Sequence, residues 1–234
     1  MEHILEFLNK GGFVIYLLLL CSIAGLTIVI EKLLSLRRKK VIIPEIVTIL
    51  NHIKGPEDVG LALSICEKHQ GPFANIIRAG LENRRLPKED IKEILNDYGR
   101  QEVYQLERGL FMLETVAGIA PLLGLLGTVI GILKVFDVIS TIGMGQTSAM
   151  AGGISEALIT TIVGLAIGIP AVVAYNYFTN KAESLILEIE KNSSLLLNKV
   201  TSFAGGRENI FQHEKTLLEE KAQSNAEEQQ NDAV

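Results

Sequence analysis

The sequence predicts an all-α membrane protein: a three-span helical bundle whose long helices extend into a cytoplasmic helical domain. Three observations lead there. The 234 residues are 48% apolar, with a mean hydropathy of +0.30, and the apolar residues gather in blocks instead of spreading evenly. No stretch of useful length alternates apolar and polar residues as a half-buried strand would. From Val138 to Asn180 the one charged side chain is Glu156. A carboxylate facing lipid costs about 2.5–3.5 kcal/mol on insertion scales, so a spanning helix keeps one only toward a bundle interior, a pore or a partner.

The first span is residues 11–30, GGFVIYLLLLCSIAGLTIVI, an uncharged run of the length a helix needs to cross a bilayer. It is too long for the core of a cleaved signal peptide, and a basic stretch follows it where a cleavage motif would stand. Arg37, Arg38, Lys39 and Lys40 place residue 37 onward in the cytoplasm and the N-terminus outside.

Residues 41–112 read as soluble helices. Ile43–Ile53 is apolar at helical spacing. Gly55-Pro56 opens a second helix, with Glu57 and Asp58 in its first turn, where acids favour the dipole. Gly71-Pro72 separates a third, Phe73–Arg84, and Pro87 opens a fourth. The fourth shows no stop before Ser140 and contains the second span, Thr115–Leu133. At 1.5 Å per residue its some 50 residues would reach about 75 Å, far beyond a bilayer. Lys134 and Asp137 read as interfacial, which leaves the chain no intramembrane cation for Glu156.

Residues 140–152 suit a short outer turn. The third span, Gly152–Phe178, returns the chain to the cytoplasm, where Lys181 follows. Gly127-x-x-x-Gly131 and Gly164-x-x-x-Gly168 allow close helix approach. Beyond Asn180, Leu185, Ile189, Leu196 and Val200 continue an amphipathic helix that Gly205-Gly206 should end. Residues 208–221 could add a weak helix, and Gln223–Val234 should be disordered. The domains expected are thus 1–36 (outer segment and first span), 37–112 (cytoplasmic helical domain), 113–180 (second and third spans), 181–204 (cytoplasmic C-terminal helix) and 205–234 (acidic polar tail). The tail holds seven acids against three bases, most of the net charge of −5.

No basic patch points to nucleic acid. Cys21 and Cys66 stand in different segments and the four histidines are scattered, so neither a metal site nor a redox pair is expected. Nucleophile-plus-base sets and phosphate loops are absent, and no enzyme activity or cofactor is expected. Glu156 is the candidate for chemistry, since desolvation drives a carboxylate toward its neutral form. Hydroxyls that could hold a water or pass a proton are Thr128, Thr160 and Thr161; a single Thr in a helix more often bonds its own backbone. Thr160 shares the Glu156 face, whereas Thr161 is turned by roughly 140°.

APLLGLLGTVIGI, a short outer loop, and GGISEALITTIVGLAIGIPAVVAYN resemble the MotA/TolQ/ExbB proton channel family, and within it the ExbB/TolQ branch. The resemblance covers about residues 10–200; the acidic tail after Gly205 matches nothing in it. It implies a homo-oligomer, a pentamer, around a pore lined by the second and third spans. It further implies an ExbD- or TolR-like single-span partner whose Asp takes up protons, and a TonB- or TolA-like energy transducer. Its pore positions fall on Thr128, Glu156 and Thr161, with Thr160 kept as secondary. The expected function is a proton-channel or stator subunit of a bacterial inner-membrane motor coupling proton-motive force to TonB-type transport or Tol-type envelope work. The alternative is a non-conducting membrane scaffold that anchors a cytoplasmic helical domain.

Overall fold

The computed structural model describes residues 12–53, 55–143 and 147–231, with side chains as far as residue 202, Ile142 excepted. Every regular element among them is helical: α1 (Gly12–Ser35), α2 (Arg38–Val41), α3 (Pro44–His52), a 3-10 turn (Pro56–Asp58), α4 (Val59–Lys68), α5 (Pro72–Glu82), α6 (Lys88–Glu107), α7 (Leu110–Ile142) and α8 (Thr147–Asn231). Three segments are long and apolar enough to cross a membrane: Gly12–Ser35, Lys88–Thr141 and Thr147–Ser202.

One compact unit holds α1, the chain from Tyr104 through α7, and α8 as far as Ser184. Its interior is thin. Val14, Leu18 and Ala120 form a buried cluster, with Leu123, Ile130, Val163 and Ile167 packed on it. Phe13, Leu20, Leu122, Leu125, Phe136, Leu158, Ile162, Ile169 and Val173 are exposed. A water-soluble protein would not carry that much contiguous apolar surface, whereas acyl chains or neighbouring helices accept it.

The helix expected to run unbroken from Lys88 is divided. Gly109 takes φ +89, the left-handed conformation that glycine adopts without a Cβ clash, and it separates α6 from α7. The carbonyls of a helix's last turn lack intrahelical donors. Here Lys32 from α1, only 1% exposed, donates from Nζ to Leu106 O at 2.9 Å. A cation at a helix C-terminus also meets the negative end of the dipole. The turn between the later spans is shorter than expected: α7 runs to Ile142 and α8 starts at Thr147, because the small residues from Thr147 to Gly153 contain no helix breaker stronger than glycine. For the same reason α8 does not stop at Gly205-Gly206. A glycine in a helix costs about 1 kcal/mol against alanine but leaves its hydrogen bonds intact. The backbone stays helical to Asn231, through most of the stretch expected to be disordered.

The other unit holds α2 to α6 as far as Val103, and α8 from Leu185. Pro44, Pro56 and Pro72 each open a helical turn, as the missing N–H allows. Phe73, Ile76, Ile77, Leu81, Ile91, Leu185, Ile189, Leu196 and Val200 are buried in it. Arg38 grips Glu188 through two nitrogens, at 2.9 and 2.5 Å. Lys199 Nζ donates to Leu50 O, Asn51 O and Ile53 O at 2.7, 2.8 and 3.1 Å, closing the C-terminal end of α3. Glu102, 6% exposed, accepts from Asn75 Nδ2 at 2.7 Å.

Cys66 is buried in this unit, and burial pushes its thiol up to about 11. The thiolate is the nucleophile, so at neutral pH little of it exists. In a Cys21→Ser background, maleimide should modify Cys66 slowly in the folded full-length chain and quickly after denaturation. Equal rates would show that the thiol is not shielded.

Candidate functional site

Helices α7 and α8 fold back on each other about the turn between Gly143 and Thr147, and glycines bring their backbones together along the way. A Cβ placed on Gly164 would stand 2.7 Å from Ala120 O and 2.9 Å from Gly124 Cα; one on Gly131 would stand 2.6 Å from Gly153 O; one on Gly168 would stand 2.6 Å from Pro121 Cγ. Each GxxxG stripe therefore packs on the opposing helix at a different level: Gly127 and Gly131 against Thr160, Ala157 and an unforeseen Gly153, Gly164 and Gly168 against Ala120, Gly124 and Pro121.

This close approach sets the polar side chains. Thr128 on α7 and Thr161 on α8 hydrogen-bond to each other through their hydroxyls. Both hydroxyls also lie within reach of Gly124 O, at 3.3 Å each, and of Ala157 O, at 3.2 and 3.1 Å. Two hydroxyls carry two protons. One bridges the oxygens and the other goes to a carbonyl, so the pair can reverse its polarity without moving a heavy atom. Thr160 is placed differently. It is fully buried, lies against Gly127, and donates to the carbonyls of Glu156 and Ala157, both at 3.0 Å. Its hydroxyl serves its own helix.

The Glu156 carboxylate is not joined to any of the three threonine hydroxyls. Its carboxylate accepts from Lys134 Nζ with both oxygens, Oε1 at 2.6 Å and Oε2 at 2.7 Å. The Glu156 side chain is 14% exposed and that of Lys134 53%. This corrects the expectation of a chain without a cation for Glu156. The signal was available in the sequence. Residues 134 and 156 are nearly equidistant from the turn, as are 124 and 164, and 131 and 157, so an antiparallel hairpin sets the lysine opposite the glutamate. Asp137, one turn further along α7, is exposed; its backbone carbonyl accepts from Ser140 and Thr141. From α1, Gly12 closes over the pair. It has φ +62, and a Cβ there would strike Glu156 Oε1 and lie 3.6 Å from Lys134 Nζ.

A pocket of about 240 Å³ lies in the same unit among Glu107, Leu110, Phe111, Glu114, Tyr175, Thr179 and Ala182. The buried Thr179 hydroxyl has no partner among the described residues. Sequence reasoning passed over this threonine because it stands at the polar end of the apolar run. No group of three or more His, Cys, Asp or Glu among the described residues could hold a metal ion.

Comparison with known proteins gives the arrangement a family. The model of the MotA/TolQ/ExbB proton channel family matches residues 68–191. An ExbB homolog of Methanothermobacter thermautotrophicus, named as a biopolymer transport protein, is 32% identical over 201 residues, 86% of this chain and 70% of the relative. The Tol-Pal system protein TolQ of Pseudomonas aeruginosa is 38% identical over 122 residues, 47% of this chain and 53% of the relative. An ExbB-like protein of Synechocystis is 36% identical over 177 residues, 73% of this chain and 68% of the relative. With three apolar helices long enough to span a bilayer and a match across more than half its length, the chain is a multi-pass membrane protein of the MotA/TolQ/ExbB proton channel family, on its ExbB/TolQ branch.

Proposed function

We propose that this chain is the proton-channel subunit of a bacterial inner-membrane motor, working as a pentamer whose pore is lined by α7 and the apolar part of α8. The N-terminus lies on the outer side and the basic residues after α1 on the cytoplasmic side. In this reading an ExbD- or TolR-like single-span protein is the companion in the pore, and a TonB- or TolA-like protein receives the work. The family sets the prior, and one observation carries the reading. Two closely packed apolar helices hold a nearly buried carboxylate, and beyond it a pair of threonine hydroxyls bonded to each other. From Glu156 to Thr161 is five residues, about 7.5 Å along the helix, a gap that one or two waters bridge. Thr128, Glu156 and Thr161 are the proton path, and Thr160 supports the helix pair.

Glu156→Gln keeps the shape of the side chain and removes its titration. In cells carrying the full system, this variant should insert and assemble in normal amounts and lose energy-dependent uptake or envelope maintenance. Normal coupling in Glu156→Gln would overturn the reading and leave the chain as a membrane scaffold, which ought to be indifferent to this carboxylate and sensitive to loss of residues 37–112.

A further inference from the structure

An ammonium that bonds both oxygens of a carboxylate is a stronger contact than an ordinary hydrogen bond, and here the carboxylate is the less exposed partner, 14% against 53%. Resting on the proton-path reading of Glu156, we propose that Lys134 is its resting counter-ion and the latch of the path. The ammonium holds the carboxylate toward Gly12 and off the Thr128–Thr161 hydroxyl pair, and Glu156 joins proton transfer only when the two part.

The chemistry balances without another reactant. A proton arriving from water on one carboxylate oxygen makes the neutral acid and cancels the charge that held Lys134. The ammonium keeps its three hydrogens and, being half exposed, turns to water. The neutral acid is then able to rotate about its side-chain bonds toward the hydroxyl pair and donate. Loss of that proton restores the anion, and the ammonium draws it back. No other charged group competes at the pair among the described residues. In α1 the first charge after Gly12 is Glu31, and in α8 the next charge after Glu156 is Lys181. Asp137 on α7 is exposed and forms no ion pair with Lys134. The site is also fitted to the latched position, since only a residue without a Cβ fits at Gly12 beside Glu156 Oε1. The counter-ion comes from within the chain, so a ring of such subunits would carry one lysine for each glutamate. Ionised carboxylates brought together around one axis would repel each other; with the lysine beside each, the charge is balanced inside every subunit.

A hydrophobic carbodiimide reacts with membrane carboxyls in their protonated form, and so reads the latch without requiring conduction. The full-length chain in its native membranes is treated at neutral pH, and the adduct on Glu156 is followed by mass spectrometry, with Glu156→Gln as the blank. Lys134→Met should label about tenfold faster than the native chain, and Lys134→Gln likewise should the Met variant fail to insert. Lys134→Arg, which keeps the charge and both hydrogen bonds, should label at the native rate. Equal rates in the native chain and the neutral variants overturn the latch, and so does fast labelling in Lys134→Arg, which would mean that the lysine matters only for packing. Failure of the proton-path reading looks different: Glu156→Gln would then retain coupling, whatever the labelling rates.

Discussion

Gly164→Leu is expected to remove the assembled protein from the membrane. The hydrogen of Gly164 faces backbone, with Ala120 O and Gly124 Cα within 3 Å of where a Cβ would stand. Backbone cannot rotate away as the end of a side chain can. The helices would have to separate, and separation breaks the Gly131–Gly153 and Gly168–Pro121 contacts and pulls Thr128 from Thr161. Overpacking a soluble core costs about 1–3 kcal/mol; here a four-carbon side chain meets main chain, and the loss should exceed that range. Gly164→Ala should be milder. The amount of membrane-inserted protein, and the temperature at which the solubilised chain loses its folded state, should fall in the order Gly, Ala, Leu. A Leu variant as abundant and as heat-resistant as the native chain would show that the two helices do not approach this closely.

Lys32→Glu should be the most damaging single charge change outside the proposed proton path. The native ammonium is buried and satisfies Leu106 O at the end of α6, and its stem lies beneath the Gly109 turn, with Cε 3.8 Å from a Cβ placed there. A carboxylate at that position would face a carbonyl and the negative end of a helix dipole with no donor. A cost of about 3 kcal/mol or more follows, on the scale of an uncompensated buried charge. Lys32→Met keeps the stem and loses only the hydrogen bond, and should cost about 1–3 kcal/mol. Thermal melts of the detergent-solubilised full chain rank the two. A charge-reversed variant as stable as Lys32→Met would mean that the α6 end is capped by something else.

Much of this architecture is legible in the sequence, because the bilayer demands long uncharged runs and the prolines mark where helices begin. Pro56 and Pro72 sit at the starts they signalled, and α6 begins directly after Pro87. What escaped was set by features that local reading cannot weigh. The stop at Gly109 was missed because a lone Arg-Gly in a helical pattern is usually tolerated, and it ends α6 only with a lysine from α1 on the free carbonyl. Gly205-Gly206 erred the other way, as a stop expected from propensity alone. The site shows the same division. The lone carboxylate and the threonines were visible as residue types out of place in an apolar run. Ideal helix geometry put Thr161 off the Glu156 face, in agreement with their lack of a hydrogen bond. The Lys134 pairing depends on register across the hairpin, which only folding the chain about its turn brings out.

The grip of Lys199 on α3 has a consequence for the order of synthesis. The three carbonyls it holds lie 149, 148 and 146 positions earlier in the chain. A ribosome delivers α3 long before that lysine exists, and both later spans must enter the bilayer in between. The first helices of the unit that holds α3 are thus finished only when nearly the whole chain has emerged, and a nascent chain arrested before Lys199 should expose the end of α3 to proteases that the released protein resists.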